Sequence, residues 1–256
     1  MRFRVSAAVV TGALALTALS APAAQADEAV GNTKISNVVV NGGKAVVLGT
    51  SAKKTVTVTF TASDNSGIKE GLGALWYGKN INAEESGVEP QGGKAKCGKG
   101  TKASCKMTFV IDPTYHLYKN SLAGGWKTLV GAVSRDNNYQ VRYNAKSFNM
   151  QRLSKISINA APEPVKKGKD LTITGSLTRA NWETGKYAGY TKQPVKLQFR
   201  KKGGKTFTTV KTVRTDSKGN LRTTVKAGSD GTYRYSFAGT STTPAVTNGG
   251  DFVDVR

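Results

Sequence analysis

Thr55-Val56-Thr57-Val58-Thr59-Phe60 alternates strictly between polar and apolar side chains. Successive residues of a strand point to opposite faces, so such a segment buries one face and wets the other as β-structure. The same signature recurs along the chain in short β-branched and aromatic runs, punctuated by Gly, Asn, Asp and Lys. Helical periodicity is scarce beyond the first residues, and the spacing predicts an all-β protein. In the first half strands are expected at 35–40, 44–48, 55–62, 73–77, 105–111, 125–134 and 140–150. In the second half they are expected at 156–160, 170–178, 193–201, 207–212, 221–226, 231–238 and 251–255.

Seven short strands in about a hundred residues is the count of an immunoglobulin-like sandwich. The fold expected is two tandem immunoglobulin-like β-sandwich domains, over 27–151 and 152–256, after a cleaved signal peptide at 1–26. Asp64-Asn65-Ser66-Gly67 forms the turn after the alternating strand, with Gly67 free to take a positive φ. Its continuation into Ile68 resembles the B–C turn of bacterial cadherin-like and immunoglobulin-like domains. Residues 81–104 are long, polar and glycine-rich and are expected to be an irregular loop. Asp216-Ser217-Lys218-Gly219-Asn220 is expected to close a hairpin between the fourth and fifth strands of the second domain. Alternation places Tyr233, Tyr235 and Phe237 on one face, and Tyr233, just after Asp230-Gly231, looks like a tyrosine corner. The prolines of 160–168 are read as the A–B turn of the second domain, which leaves little free linker.

Arg2 and Arg4 precede an apolar run over 5–19, and Ala24-Gln25-Ala26 supplies a small-x-small site. Those are the three parts of a secretory leader. The run falls short of the roughly 20 residues that a membrane-spanning helix needs. Export fits the cysteine usage, since Cys97 and Cys105 are the only two and are expected to pair in an oxidising compartment. Charge is the least ordinary bulk property. The chain carries a formal +22, and 20 basic against 7 acidic groups give residues 152–256 a net +13. A field of that size attracts polyanions.

No constellation for catalysis is present. His116 is the single histidine, no G-x-S-x-G or H-E-x-x-H occurs, and Glu84, Glu85 and Glu89 sit in a polar segment. The reading is therefore not an enzyme, with no catalytic residue, no cofactor and no metal site. The Asp64 and Asp136 segments lack a complete calcium-loop spacing. Basic turns are the first candidate site: Lys166, Lys167 and Lys169 in one, and Arg200, Lys201, Lys202 and Lys205 in another. Each is either a polyanion contact or a solvated turn, and Lys94, Lys96, Lys99, Lys102 and Lys106 crowd the two cysteines in the same way. Aromatics are the second. Trp76 and Trp126 are expected in the core, whereas Trp182, with Tyr187 and Tyr190 in a B–C connection, is open between core packing and stacking on sugar rings.

Leu171-Thr172-Ile173-Thr174-Gly175, Thr178-Arg179-Ala180-Asn181-Trp182, Gln193-Pro194-Val195-Lys196-Leu197-Gln198-Phe199-Arg200, Tyr233-Arg234-Tyr235-Ser236-Phe237-Ala238-Gly239-Thr240 and Gly250-Asp251-Phe252-Val253-Asp254-Val255 resemble a domain of secreted actinomycete proteins. The role of those proteins is unassigned, and some carry the name calcium-binding protein. The resemblance covers nearly all of 152–256 and implies the fold and secretion; it transfers no catalytic or binding residue. The function expected is that of a secreted binding protein, extracellular or cell-wall associated. Its partner would be an anionic cell-wall polymer or another polyanion. A carbohydrate-binding module and a structural or protein-interaction module are the alternatives, and no membrane span is expected.

Overall fold

The computed structural model describes residues 26–256, so the leader expected at 1–26 lies, but for its last residue, outside the described residues. The first ten strands are β1 (Glu28–Val30), β2 (Lys34–Val40), β3 (Val46–Leu48), β4 (Lys54–Ser63), β5 (Ile68–Gly78), β6 (Glu84–Val88), β7 (Lys96–Cys97), β8 (Lys102–Ile111), β9 (Gly124–Ser134) and β10 (Tyr139–Arg152). One sheet runs β2-β4-β8-β7 and the other β1-β10-β9-β5-β6, with β3 lying parallel to β10. The N-terminal edge thus changes sheets between β2 and β3. It does so at Asn41-Gly42-Gly43, where three successive positive φ angles turn the chain across the gap.

The second group comprises β11 (Ser154–Ala161), β12 (Asp170–Asn181), β13 (Lys186–Gly189), β14 (Pro194–Lys201), β15 (Thr208–Arg214), β16 (Asn220–Lys226), β17 (Gly231–Phe237), β18 (Val246–Thr247) and β19 (Asp251–Val253). Here β11-β12-β16 forms one sheet, extended by β13, and β15-β14-β17 with β18 and β19 forms the other. Val165 bridges in parallel to Val255, so this N-terminal edge also changes sheets, past Pro162 and Pro164. Strand order A-B-E against C-F-G, repeated twice, makes both units immunoglobulin-like sandwiches. Among the described residues strand pairing never crosses Leu153.

Alternation does what the pattern requires. Val56, Val58, Phe60 and Ala62 of β4 face Ala103, Cys105, Met107, Phe109 and Ile111 of β8 in burying one side of their sheet. They close on the fully buried Trp126, whose Nε1 donates to Leu122 O at 2.8 Å. Cys97 and Cys105 are bonded and stand opposite each other on β7 and β8. The second core gathers Leu171, Ile173, Val195, Leu197, Tyr233, Tyr235 and Phe237.

Three expectations are corrected. Residues 81–104 are no single irregular loop: β6 and β7 lie within them, β6 as an edge of the larger sheet, with Ser86 and Val88 turned inward. Asp216-Ser217-Lys218-Gly219-Asn220 does not close a hairpin, because β15 pairs with β14 while β16 pairs with β12; the turn carries the chain from one sheet to the other. The hydroxyl that reaches the backbone is not that of Tyr233. Tyr235 Oη donates to Ile173 O at 3.3 Å, across the core, while Tyr233 packs on Phe199 with ring centroids 4.6 Å apart.

Candidate functional site

Two ends of the second sandwich hold the residues that the sequence singles out, and strand direction separates them. β12 runs toward the first domain and ends at Asn181, and β14 runs away from it and ends at Lys201. At about 3.3 Å per residue, the eight residues of β14 put some 25 Å between the two ends.

At the near end the B–C connection is not an open loop. β12 continues to Asn181 and β13 pairs back along it, making a hairpin whose turn is Trp182-Glu183-Thr184-Gly185. Asn181 Oδ1 accepts from the amides of Glu183 and Thr184, and Gly185 takes φ +65°. The turn projects Trp182 out of its own domain and into the first. Trp182 is 5% exposed and packs, with Ala180, against the core that contains Leu48 and Trp126. Its Nε1 donates to Gly49 O at 2.9 Å, and its amide donates to Asn120 Oδ1 at 3.0 Å. Asn120 Nδ2 donates to Asn181 Oδ1 at 2.8 Å, and its amide to Glu183 Oε1 at 2.9 Å.

This burial withdraws the sugar-stacking expectation for Trp182. Its partners fare the same way, because Tyr187 and Tyr190 are each half-buried under a cation. Lys155 Nζ stands 3.8 Å above the Tyr187 ring and the Arg179 guanidinium 3.8 Å above Tyr190. No exposed aromatic platform remains in this segment. Trp76 and Trp126 are both buried.

Arg152, the last residue of β10, completes the junction. Its Nε donates to Ala180 O at 2.6 Å and its amide to Thr242 O at 3.0 Å. Burial, reinforced by the positive charge of Arg179, pulls the Arg152 guanidinium down to about 10. Leu153 N donates to Leu48 O at 2.8 Å, so even the connecting residue is tied to the first domain.

The far end gathers the basic turns. Lys167, from the A–B turn, and Lys201 and Lys202, from the β14–β15 hairpin, line one open groove of about 440 Å³ with Gly228, Asp230 and Arg256. Backbone bonds hold the turns together: Lys167 N donates to Arg256 O at 2.7 Å, Gly168 N to Ala227 O at 2.7 Å and Lys202 N to Asp230 O at 2.9 Å. Asp230 is the groove's carboxylate. The Val255 amide donates to it at 2.9 Å and Lys202 Nζ lies 3.2 Å from it; these two hydrogen bonds, outweighing desolvation, hold it below the usual carboxylate range. Arg256 is paired with Asp254. Among the described residues, Lys167 and Lys201 face no carboxylate within ion-pair distance.

Of the other predicted residues, Lys166 and Lys169 close the A–B turn through Lys169 N to Lys166 O at 3.0 Å, and Lys205 lies exposed in the β14–β15 turn. Arg200 lies on the outer face of β14, its guanidinium 4.7 Å from the Phe207 ring. Of the first-domain lysines near the disulfide, Lys96 stands opposite Lys106 across β7–β8, and Lys94 pairs with Glu70. The sequence reasoning missed Arg256, whose place beside Lys167 depends on the parallel Val165–Val255 bridge.

Elsewhere the acidic turns are satisfied internally. Asp64 accepts from Thr33 Oγ1 at 2.7 Å and from Ser66 N and Oγ; burial works against its charge, and these bonds outweigh it and hold the carboxyl low. His116 Nδ1 faces the main chain of Asp112, 3.0 Å from its N and 3.2 Å from its O.

No family model matches the chain, and no curated protein matches it. Solved structures give low-scoring likenesses. A chimeric titin Z1Z2 carrying a decorin peptide is 11% identical with a TM-score of 0.25, over 91% of this chain and 99% of its own. Titin z1z2 in complex with telethonin is 10% identical with a TM-score of 0.22, over 91% and 98%. The mouse nectin-like molecule 4 ectodomain is 14% identical with a TM-score of 0.23, over 86% and 65%. At those scores the likeness carries no argument of its own, and the immunoglobulin-like assignment rests on strand order.

Proposed function

We propose that this is a secreted, non-enzymatic binding protein, retained at the cell envelope by anionic polymers that its second sandwich holds at the end remote from the first. The observation that carries the reading is convergence. Lys167 and the Lys201-Lys202 pair, far apart in sequence, reach the same groove as Arg256, held there by main-chain bonds. A solvated turn needs no such convergence, whereas a polymer with repeated negative charge gains from each cation that it meets in one place. Lysine supplies point charge without directional forks, which suits a flexible polyanion. The leader-like residues 1–26 and the Cys97–Cys105 bond support export.

The test is binding of the purified protein to its own cell wall and to a soluble phosphate-rich polymer across a salt series. The logarithm of affinity should fall linearly with the logarithm of salt, by about 0.7–0.9 per neutralised phosphate. Absence of binding at low salt would sink the reading.

A further inference from the structure

The outer face of the β15-β14-β17-β19 sheet adjoins the groove and carries a different kind of chemistry. Alternation turns Tyr233 and Tyr235 inward and therefore Thr232 and Arg234 outward. Register places Arg200 of β14 and Phe252 of β19 on either side of Thr232. Strands lie about 4.8 Å apart, so Arg200 and Phe252 stand some 10 Å from each other across a floor made by one short side chain. Phe252 is 45% exposed although it belongs to a strand, and Lys202 Nζ lies 5.8 Å from its ring.

Phe207 fixes the other half. Its ring lies against two guanidiniums, Arg234 at 3.7 Å and Arg200 at 4.7 Å from the ring centre. Arg234 is pinned further, with Nε donating to Gln198 Oε1 at 2.8 Å. Among the described residues, neither guanidinium meets a carboxylate within ion-pair distance. The face thus presents two planar cations without counter-charge and an exposed phenyl ring, with Lys202, paired to Asp230, at its edge. It lies on a domain whose 20 basic and 7 acidic groups leave +13.

We infer that this sheet face binds single-stranded nucleic acid, with phosphates on Arg200 and Arg234 and an unpaired base over Thr232, against Phe252. The inference rests on the polyanion reading and assigns to the face beside the groove a polyanion that carries bases. Charge complementarity alone fits any polyanion. The planar groups narrow it, because guanidinium planes and phenyl faces gain from a ligand that has π-faces of its own. A polyol phosphate has none. A duplex keeps its base faces inside the stack, out of reach of a sheet surface. An arginine fork also matches phosphate oxygens in pairs, which a lysine does not.

The experiment measures binding of the purified protein by fluorescence anisotropy to three probes at equal phosphate concentration. These are an oligothymidylate of about 15 nucleotides, a duplex of the same length, and inorganic polyphosphate. The expected result is preference for the single strand over both others. Phe252→Ala should weaken single-strand binding about tenfold while leaving polyphosphate binding unchanged. Phe252→Leu keeps the apolar contact and removes the π-face, so it should weaken the single strand as well. Arg234→Lys keeps the charge and should still lose severalfold. Equal binding to all three probes, or indifference to the Phe252 changes, overturns this inference and leaves the electrostatic reading standing. Failure to bind any probe at low salt overturns both.

Discussion

The two ends of the second sandwich are built on opposite principles. The end facing the first domain is dry: Trp182 is buried in a neighbour's core, and Asn120 and Arg152 satisfy the polar atoms around it. The remote end is wet, held by main-chain bonds between turns and lined by exposed lysines, of which, among the described residues, Lys202 alone has a carboxylate partner, Asp230. Apolar burial is strong and is not screened by salt, whereas exposed charge stabilises little and attracts at a distance. One end thus serves attachment to the first domain and leaves the other open to solvent. The inserted hairpin between β12 and β13 is the device that separates the roles, since it carries Trp182 across the junction.

The largest effect should come from Trp182→Ala. Emptying a site that is 5% exposed costs about 3–5 kcal/mol, here drawn from the bond between domains and from the first core together. Chemical denaturation should then show separate transitions for the two sandwiches, and small-angle scattering should show a longer, more variable particle. Polyanion affinity at the far end should not change. A joint loss of both properties would mean that the two ends are not independent.

Asn120→Ala should be milder. It removes the acceptor of the Trp182 amide and one of the donors to Asn181 Oδ1, leaving the part-buried Trp182 amide unpaired at a cost of about 1–2 kcal/mol. Differential scanning calorimetry of the single variant and of the double with Trp182→Ala should show non-additivity, because the two residues share one contact.

Breaking the other end reverses the pattern. The triple change Lys167→Ala, Lys201→Ala and Lys202→Ala should leave stability within about 0.5 kcal/mol. The slope of log affinity against log salt should fall by about two to three. An unchanged slope would assign the polymer to another surface, the first-domain lysines being the next to test.

How far this contrast is legible in sequence depends on the residue. Strict alternation exposes β4 and β17, since period two is a local property. It does not expose β6, where Glu84-Glu85-Ser86-Gly87-Val88 has low strand preference and takes its shape from pairing with β5. The Asp216 turn has the same local chemistry whether it joins paired strands or crosses between sheets. Trp182 stands out by type, but its burial follows from an inserted hairpin and a second domain, neither visible in a window around it. The basic turns are legible singly, and only strand direction shows that they share an end. Phe207, Arg234 and Phe252 are scattered over separate segments, and the alternation of Tyr233-Arg234-Tyr235 is the one available signal that Arg234 points outward.

The smallest effect tests how the wet end is held. The amide of Val255 and then Lys202 stabilise the charged form of Asp230, so its folded pKa lies below the ordinary aspartate value of about 3.9. A depressed carboxylate contributes stability that is present above the unfolded value and is lost as pH falls through the folded one. The Val255 amide proton, followed by NMR, should therefore titrate with a midpoint below about 3.9 and move upfield as its acceptor loses charge. Asp230→Asn should abolish that titration. Neutralising Asp230 also removes the one carboxylate aligned with the groove's lysines, so Asp230→Asn should bind polyanion slightly more tightly at neutral pH, within about threefold. If affinity falls instead, the carboxylate matters less as a counter-charge than as the clamp that keeps Lys202 and the end of β19 in place.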